Sequence, residues 1–256
     1  MMPGVTWALD LDGVVWLSGR PLPGAPEAVA RLRAAGERVV FLTNNSSPSV
    51  AHHVATLEAA GVPAAPGDVV TSAQAAAALV APGETVVALG GDGVREALAA
   101  RGCELRETGP ADAVVVGLRR DLTYGMIARA ATAAREGARF IGTNDDPTYP
   151  TPDGLLPGAG SIIAAVATAA GRTPELAGKP HAPMARLVAE RVGPVDVMVG
   201  DRHSTDGLMA RLLGARFALV LTGVTGADAA RALDPAPHLV APSLAEAVAA
   251  LLGGYS

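Results

Sequence analysis

The chain has 256 residues, half of them hydrophobic but only 3% aromatic, and its 20 basic and 25 acidic residues leave a net charge of −5. That length accommodates one large domain or two smaller ones, two being expected, with a core of Ala, Val and Leu in many small layers rather than around rings. The absence of any run of Lys or Arg excludes the usual footprint for nucleic acid or an anionic membrane surface, so neither partner is expected.

In chain order, β-rich runs alternate with Ala-rich helical segments. The patterning predicts strands over 5–11, 38–43, 85–89, 113–116, 139–143, 196–200 and 216–221. Helices are predicted over 25–35, 49–60, 73–80, 94–101, 123–136, 161–170, 182–191, 205–213 and 243–252. Strand, helix, strand in repetition is the pattern of parallel βα units, hence an α/β doubly wound sheet. The longest irregular stretch, 143–161, holds four prolines and is expected either to face a substrate or to be a plain connector. The N-terminus lacks a basic segment followed by an apolar run, and Asp10 and Asp12 interrupt its first hydrophobic stretch. Neither a signal peptide nor a membrane span is expected, and a single cysteine, Cys103, fits a soluble protein in a reducing, cytoplasmic setting.

Three predicted strands end in chemistry. The first runs into Asp10-Leu11-Asp12-Gly13, the second into Thr43-Asn44-Asn45-Ser46, and a late one into Gly200-Asp201-Arg202-His203-Ser204-Thr205-Asp206. Ligands of open α/β sheets sit outside the carboxyl ends of the strands, so these three ends are expected to converge. Asp10, Asp12, Asp201 and Asp206 in one crevice would repel strongly without a cation, and oxygen ligands of this kind suit Mg²⁺. Carboxylates two apart in extended chain share a face, so one can attack phosphorus while the other, kept protonated, serves a leaving oxygen. Gly13 is expected to let the backbone approach a phosphate closely. Taken alone, Asp10 or Asp12 could equally be a turn residue or a cap. Thr43 and Asn44 offer a hydroxyl, an amide and backbone N–H groups to phosphate oxygens, while Ser46 or Ser47 could cap the following helix. Lys179 is the only lysine in the chain, and phosphoryl transfer needs a cation on the transferring group; the competing expectation is a solvated surface lysine.

The segments "DLDGVVW", "LTNNS", "GKP" and "VGDRHSTDG", in that order, resemble the four motifs of the haloacid dehalogenase-like hydrolases. Further stretches, among them "TSAQAAA", "GLRRDLTY" and "LVLTGVT", resemble the NagD-like and p-nitrophenylphosphatase-like phosphatases, which carry a large α/β cap. The resemblance covers nearly the whole chain. It implies a doubly wound, Rossmann-like core from residues 1–78 and 178–256 with an inserted, smaller α/β cap over 79–177. It implies Asp10 as nucleophile, Asp12 as general acid and base, Thr43 and Asn44 on the phosphoryl group, and Lys179 steadying Asp10. Mg²⁺ would be held by Asp10, the backbone carbonyl of Asp12, and Asp201, with Asp206 either a ligand through water or a support for Lys179. The activity implied is Mg²⁺-dependent hydrolysis of small phosphomonoesters through an aspartyl-phosphate, with phosphoglycolate, glycerol phosphate, sugar phosphates or nucleoside monophosphates as natural substrates and p-nitrophenyl phosphate as an artificial one. The partner is thus a small phosphorylated metabolite, and a homodimer through the cap is possible. Alternatives on the same fold are a phosphotransferase or phosphomutase, or a non-hydrolytic phosphometabolite-binding protein.

Two departures from the pattern stand out. Gly207 follows Thr205-Asp206 where relatives carry a branched apolar residue, which is expected to loosen the helix by about 1 kcal/mol. Asp145 stands where relatives often have proline, which bears on the conformation and charge of the long cap loop. "GGDG" from Gly90 resembles a nucleotide-binding loop but lacks an acceptor constellation, and "GAGSIIA" from Gly158 is expected to start a helix whose amides could meet an anion. His203 is a candidate lining residue, at least one of His52 and His53 is expected on the surface, and Cys103 is expected as a small buried thiol.

Overall fold

The computed structural model describes residues 4–151 and 153–253. Its larger sheet has six parallel strands in the order Leu239–Ala241, Arg216–Val220, Val197–Gly200, Thr6–Leu9, Arg38–Thr43 and Val69–Thr71. The chain enters at the middle, winds to one edge, leaves, and returns to build the other half. The halves meet where Leu9 pairs with Val199, and this reversal of strand order opens a crevice beyond the carboxyl ends. Both central strands, TWAL and VMVG, are buried at every residue, as a sheet covered on both faces requires.

A second sheet of five parallel strands lies wholly between Thr85 and Leu176, in the order Glu175–Leu176, Arg139–Gly142, Ala113–Val116, Thr85–Leu89 and Glu104–Arg106. A doubly wound core with a smaller inserted α/β cap is therefore the architecture. The two layers share apolar packing: one cluster runs from Ala8, Val40 and Leu42 through helix Ser72–Ala78 to Val86, Val115 and Ile141. Four of that helix's five buried residues are alanines, whose short side chains let it fit closely between its neighbours in place of the missing aromatic rings. No helix among the described residues is long and apolar enough to cross a membrane.

The long helices fall where the patterning places them, and the differences have local causes. Val69–Thr71, Glu104–Arg106 and Leu239–Ala241 have three residues each, too few to show alternation. The stretch expected to be irregular folds into an antiparallel hairpin, Thr148–Thr151 with Gly154–Pro157. Pro150 and Pro157 have no N–H to donate, which hides this hairpin from sequence reading and confines it to an edge. Ser49, rather than Ser46 or Ser47, caps helix Val50–Ala59 through its hydroxyl on His52 N–H. Helix 205–213 opens as a π-helical turn, His203–Gly207, and becomes α-helical only over Leu208–Leu213. A Cβ at Gly207 would stand 2.8 Å from His203 and 3.1 Å from Phe217, so the missing side chain there makes room for packing.

The "GGDG" stretch opens helix Asp92–Ala100 and serves docking of the cap on the core. Gly93 N–H donates to Ser47 O at 2.9 Å, and a Cβ there would strike the Pro48 carbonyl and come within 2.7 Å of Ser46 O. Gly93→Ala is expected to cost about 1–3 kcal/mol by overpacking, read as a lower Tm. Gly67→Ala, whose added methyl meets nothing within 4 Å, is the control and should leave Tm unchanged; equal Tm values for both variants would count against this packing account.

Candidate active site

At the strand switch, Lys179 is the organising group. Its ammonium is buried and lies 2.8 Å from Asp10 Oδ1 and 2.7 Å from Asp206 Oδ1, and it donates to Leu42 O at 2.9 Å. The expectation of a solvated lysine is thereby excluded. Asp10 follows the central strand directly, its N–H bonded to Val199 O. Its Oδ1 also accepts from Leu11 N–H at 2.8 Å, which leaves Oδ2 as the oxygen not engaged by the protein. Asp206 uses both oxygens, Oδ1 on Lys179 and Oδ2 on Arg202 N–H at 3.1 Å. Of the two roles left open for it, support of Lys179 is the one its hydrogen bonds perform. Asp201 is pinned through Oδ2 by Val224 N–H at 2.6 Å.

Asp12 sits one turn further on, where Ser18 N–H donates to its Oδ1 at 3.2 Å from the tight hairpin Trp16–Leu17 and Arg20–Pro21. Gly13 has φ +88, and a Cβ there would lie 2.6 Å from Asp201 Oδ2. The space it leaves is taken by the Asp201 carboxylate, and its carbonyl accepts from Thr222 at 2.6 Å. Gly13 thus brings the first and last clusters together, where the sequence suggests a backbone approach to phosphate.

Thr43 faces the same cavity, its hydroxyl accepting from Asn45 N–H at 3.0 Å. Asn44 is committed otherwise. Its Oδ1 accepts from Lys179 N–H at 2.8 Å, and its amide donates to Lys179 O at 3.0 Å and Asp146 Oδ2 at 2.8 Å. Both amide donors are used, so of the groups that the sequence offers to phosphate, Asn44 has its backbone N–H but not its side chain. Asp146 comes from the cap loop and also meets Arg202 at 3.5 Å. Asn144 donates to Asn44 O at 2.7 Å, as does Ser72. The sequence assigns no role to these four residues, Ser72, Asn144, Asp146 and Arg202, although Arg202 stands beside Asp201, Asp146 beside Asp145, and Ser72 within "TSAQAAA". Asp145 itself lies 3.4 Å from His181 Nε2, and that neighbour lowers its carboxyl pKa. The "GAGSIIA" stretch does start a helix, Ala159–Ala170, and Gly158 and Ala159 line the cavity.

His203 turns away from the site, its Nε2–H donating to Pro235 O at 3.0 Å and its ring edge-on to Phe217. His52 is exposed, whereas His53 is buried, with its pKa lowered to about 4 by that burial. Cys103 is half-buried rather than buried.

Charge governs this crevice. Burial pushes the Asp10 carboxyl well above its ordinary range despite Lys179, raises Asp201 to about 7 with help from Asp206, and raises Asp12 to about 6. Burial works against the Lys179 charge too, but Asp10 and Asp206 outweigh it and hold the ammonium above its usual range. Asp10, Asp201 and Asp206 present carboxylate oxygens within 4.8 Å of one another. Three desolvated carboxylates around one ammonium lack positive charge, and an all-oxygen donor set fits a hard divalent cation such as Mg²⁺.

A family model described as haloacid dehalogenase-like hydrolase matches residues 7–104, and a second, HAD-hydrolase-like model matches residues 176–247. A D-glycerol 3-phosphate phosphatase of Mycobacterium tuberculosis is 41% identical over 86% of this chain, which spans 63% of that relative's length. An acid sugar phosphatase of Staphylococcus haemolyticus is 34% identical over 90% of both chains. Among solved structures, a p-nitrophenyl phosphatase from Archaeoglobus fulgidus superposes with a TM-score of 0.88 at 30% identity, covering 96% of this chain and 99% of that one. The glycerol phosphate phosphatase of Mycobacterium tuberculosis in complex with magnesium gives 0.87 at 37% identity, covering 94% and 75%. The chain belongs to the haloacid dehalogenase-like hydrolases, and these named relatives are phosphatases.

A carboxyl whose pKa is higher folded than unfolded binds its proton more tightly in the native state. Its stabilising contribution is full below the unfolded value, about 3.9 for Asp, and is lost as pH rises through the folded value, about 7 for Asp201. In chelator, Asp201→Asn is therefore expected to have a higher Tm than wild type at pH 8, the gap closing toward pH 5. Calorimetry across that range checks it, and a variant less stable than wild type at pH 8 would contradict the account.

Proposed function

We propose that the chain is a Mg²⁺-dependent phosphatase of small phosphomonoesters, acting through an aspartyl-phosphate on Asp10. The observation that carries this reading is Asp10 fixed by Lys179 through one oxygen, with the other free and Asp12 beside it on the same crevice. Oδ2 of Asp10 bonds to phosphorus as the bond to the leaving oxygen breaks, and Asp12 gives that oxygen its proton. Asp12, now a carboxylate, then takes a proton from water; the water oxygen bonds to phosphorus and the Asp10–phosphorus bond opens, releasing phosphate. Lys179 orients Asp10 and favours its carboxylate form for the attack, and stays beside Oδ1 once Oδ2 carries the phosphoryl group. Thr43 and the Asn44 backbone N–H bind phosphoryl oxygens, while the Asn44 side chain holds Lys179 in place. Mg²⁺, held by Asp10, Asp201 and the Asp12 carbonyl, with Asp206 behind Lys179, would neutralise charge on the phosphoryl oxygens. Phosphate monoesters are among the slowest compounds to hydrolyse unaided, with accelerations up to about 10²¹ required, which is why a cation, an ammonium and a preset acid are combined.

We take residues 79–177 as the cap and 1–78 with 178–256 as the core, because every strand of the smaller sheet falls within the first range. The cap excludes water and large substrates, so the partner is a small metabolite. A lone cysteine and relatives that act on metabolites support a cytoplasmic setting.

The deciding test is phosphate release from a panel of small phosphomonoesters with Mg²⁺ and with chelator. Asp10→Asn should fold normally and release none, and release at the wild-type rate would overturn the mechanism. Asp146→Ala should lower kcat about 10- to 100-fold by loosening Asn44 and with it Lys179, with a smaller change in KM; a pure KM effect would assign Asp146 to substrate contact instead.

A further inference from the structure

In the reading above the leaving oxygen meets Asp12, so the leaving group starts there. Asp12 and Asn45 are shared by the inner cavity, about 70 Å³, and an adjoining groove of about 570 Å³. A leaving group of more than a few atoms that starts at Asp12 runs into that groove, which shares Asp12 with the inner cavity. Its walls are the core hairpin at Trp16–Leu17 and Arg20–Pro21, the start of helix Val50–Ala59, and the cap hairpin.

Two guanidinium groups line it, Arg20 and Arg120. Arg119 and Arg120 are neighbours with opposite fates. Arg119 donates two bonds to Asp121, each 2.9 Å, and is neutralised. Arg120 makes no salt bridge among the described residues, though its charge acts on Asp12 and works to lower that carboxyl's pKa, and Arg20 makes none either. Arg120 is laid over the Tyr149 ring, its Cζ 5.4 Å from the centroid, and Tyr149 lines the inner cavity. A guanidinium stacked on a ring is oriented in advance while its fork of N–H donors stays open. Apart from Asp12, the acid in the groove is Asp153, which is exposed. Arg20 and Arg120 are exposed as well, so the groove balances two cations against Asp12 and Asp153, and the guanidinium oriented by the ring is the group that matches a planar anion.

We propose that Arg120, backed by Arg20, is a specificity-determining residue that selects phosphomonoesters whose leaving group carries a carboxylate over esters of neutral alcohols. The inference rests on the phosphatase reading and narrows its substrate class. A carboxylate fits because a planar guanidinium can bond both of its oxygens at once.

The test compares 3-phosphoglycerate with glycerol 3-phosphate, which differ by carboxylate against hydroxymethyl, with p-nitrophenyl phosphate as a reporter of turnover. Wild type should favour the phosphoglycerate by about tenfold or more in kcat/KM, as a charge-assisted bidentate contact would give. Arg120→Gln should lower that ratio about tenfold, mainly by raising KM for the phosphoglycerate, and Arg120→Lys should recover part of it. Equal use of the two esters by wild type, or an unchanged ratio in Arg120→Gln, overturns this inference while turnover of p-nitrophenyl phosphate leaves the phosphatase reading standing. Folded wild type that releases phosphate from none of the three overturns both.

Discussion

A buried ammonium, Lys179 Nζ, lies between two carboxylates at 2.7 and 2.8 Å, and the geometry of the site follows from it. Burying one such charge without partners is prohibitive, and burying the acids without the ammonium is equally so. The three groups are stable there only as a set. That mutual dependence fixes Asp10 at the end of the first strand, obliges Asp206 to reach back over Gly200 from the π turn, and requires the segment around Lys179 to return from the cap to the core. The ordinary helix expected from residue 205 gives way to a π turn at the point where Asp206 leaves it for Lys179.

The same set explains why the cap is part of the site rather than a lid laid on top. Asn44 holds the Lys179 main chain at both its N–H and its carbonyl, and Asp146 of the cap loop holds Asn44. Arg202, next to Asp201, reaches Asp146 and the Thr148 carbonyl. A change in cap position is thus felt at the lysine through Asp146 and Asn44, and at the Asp201 loop through Arg202. The continuous apolar cluster beneath, with the alanines of helix Ser72–Ala78 in its middle, supports this contact from below.

The sequence discloses the parts of this arrangement that are local. Each strand that ends in chemistry is an apolar run, so its end is visible, and Asp10, Thr43 and Asp201 stand at or directly after those ends, while Lys179 is marked as the chain's only lysine. The parts that depend on distant partners are silent. Asn44 and Asp146 are 102 positions apart and Asn44 and Lys179 are 135 apart, and nothing in the spacing says that the Asn44 amide is spent on protein. Gly13 is legible as a glycine but not as the neighbour of Asp201, because the contact joins opposite halves of the wound sheet. The edge strands are silent for a different reason: two- and three-residue strands and a proline-bearing hairpin carry no periodicity.

Electrostatics then sets a direction for the leaving group. The inner crevice holds more carboxylates than cations, so an anion enters it only with a metal or against the ammonium. In the adjoining groove Arg20 and Arg120 make no salt bridge among the described residues and stand with Asp12 and Asp153. On the proposed reading, a phosphomonoester with a second anionic end would place its phosphoryl group at Lys179 and its far end at Arg120. A neutral leaving group would leave the stacked guanidinium without a counter-charge, and discrimination between the two follows from that unanswered charge rather than from the shape of the groove.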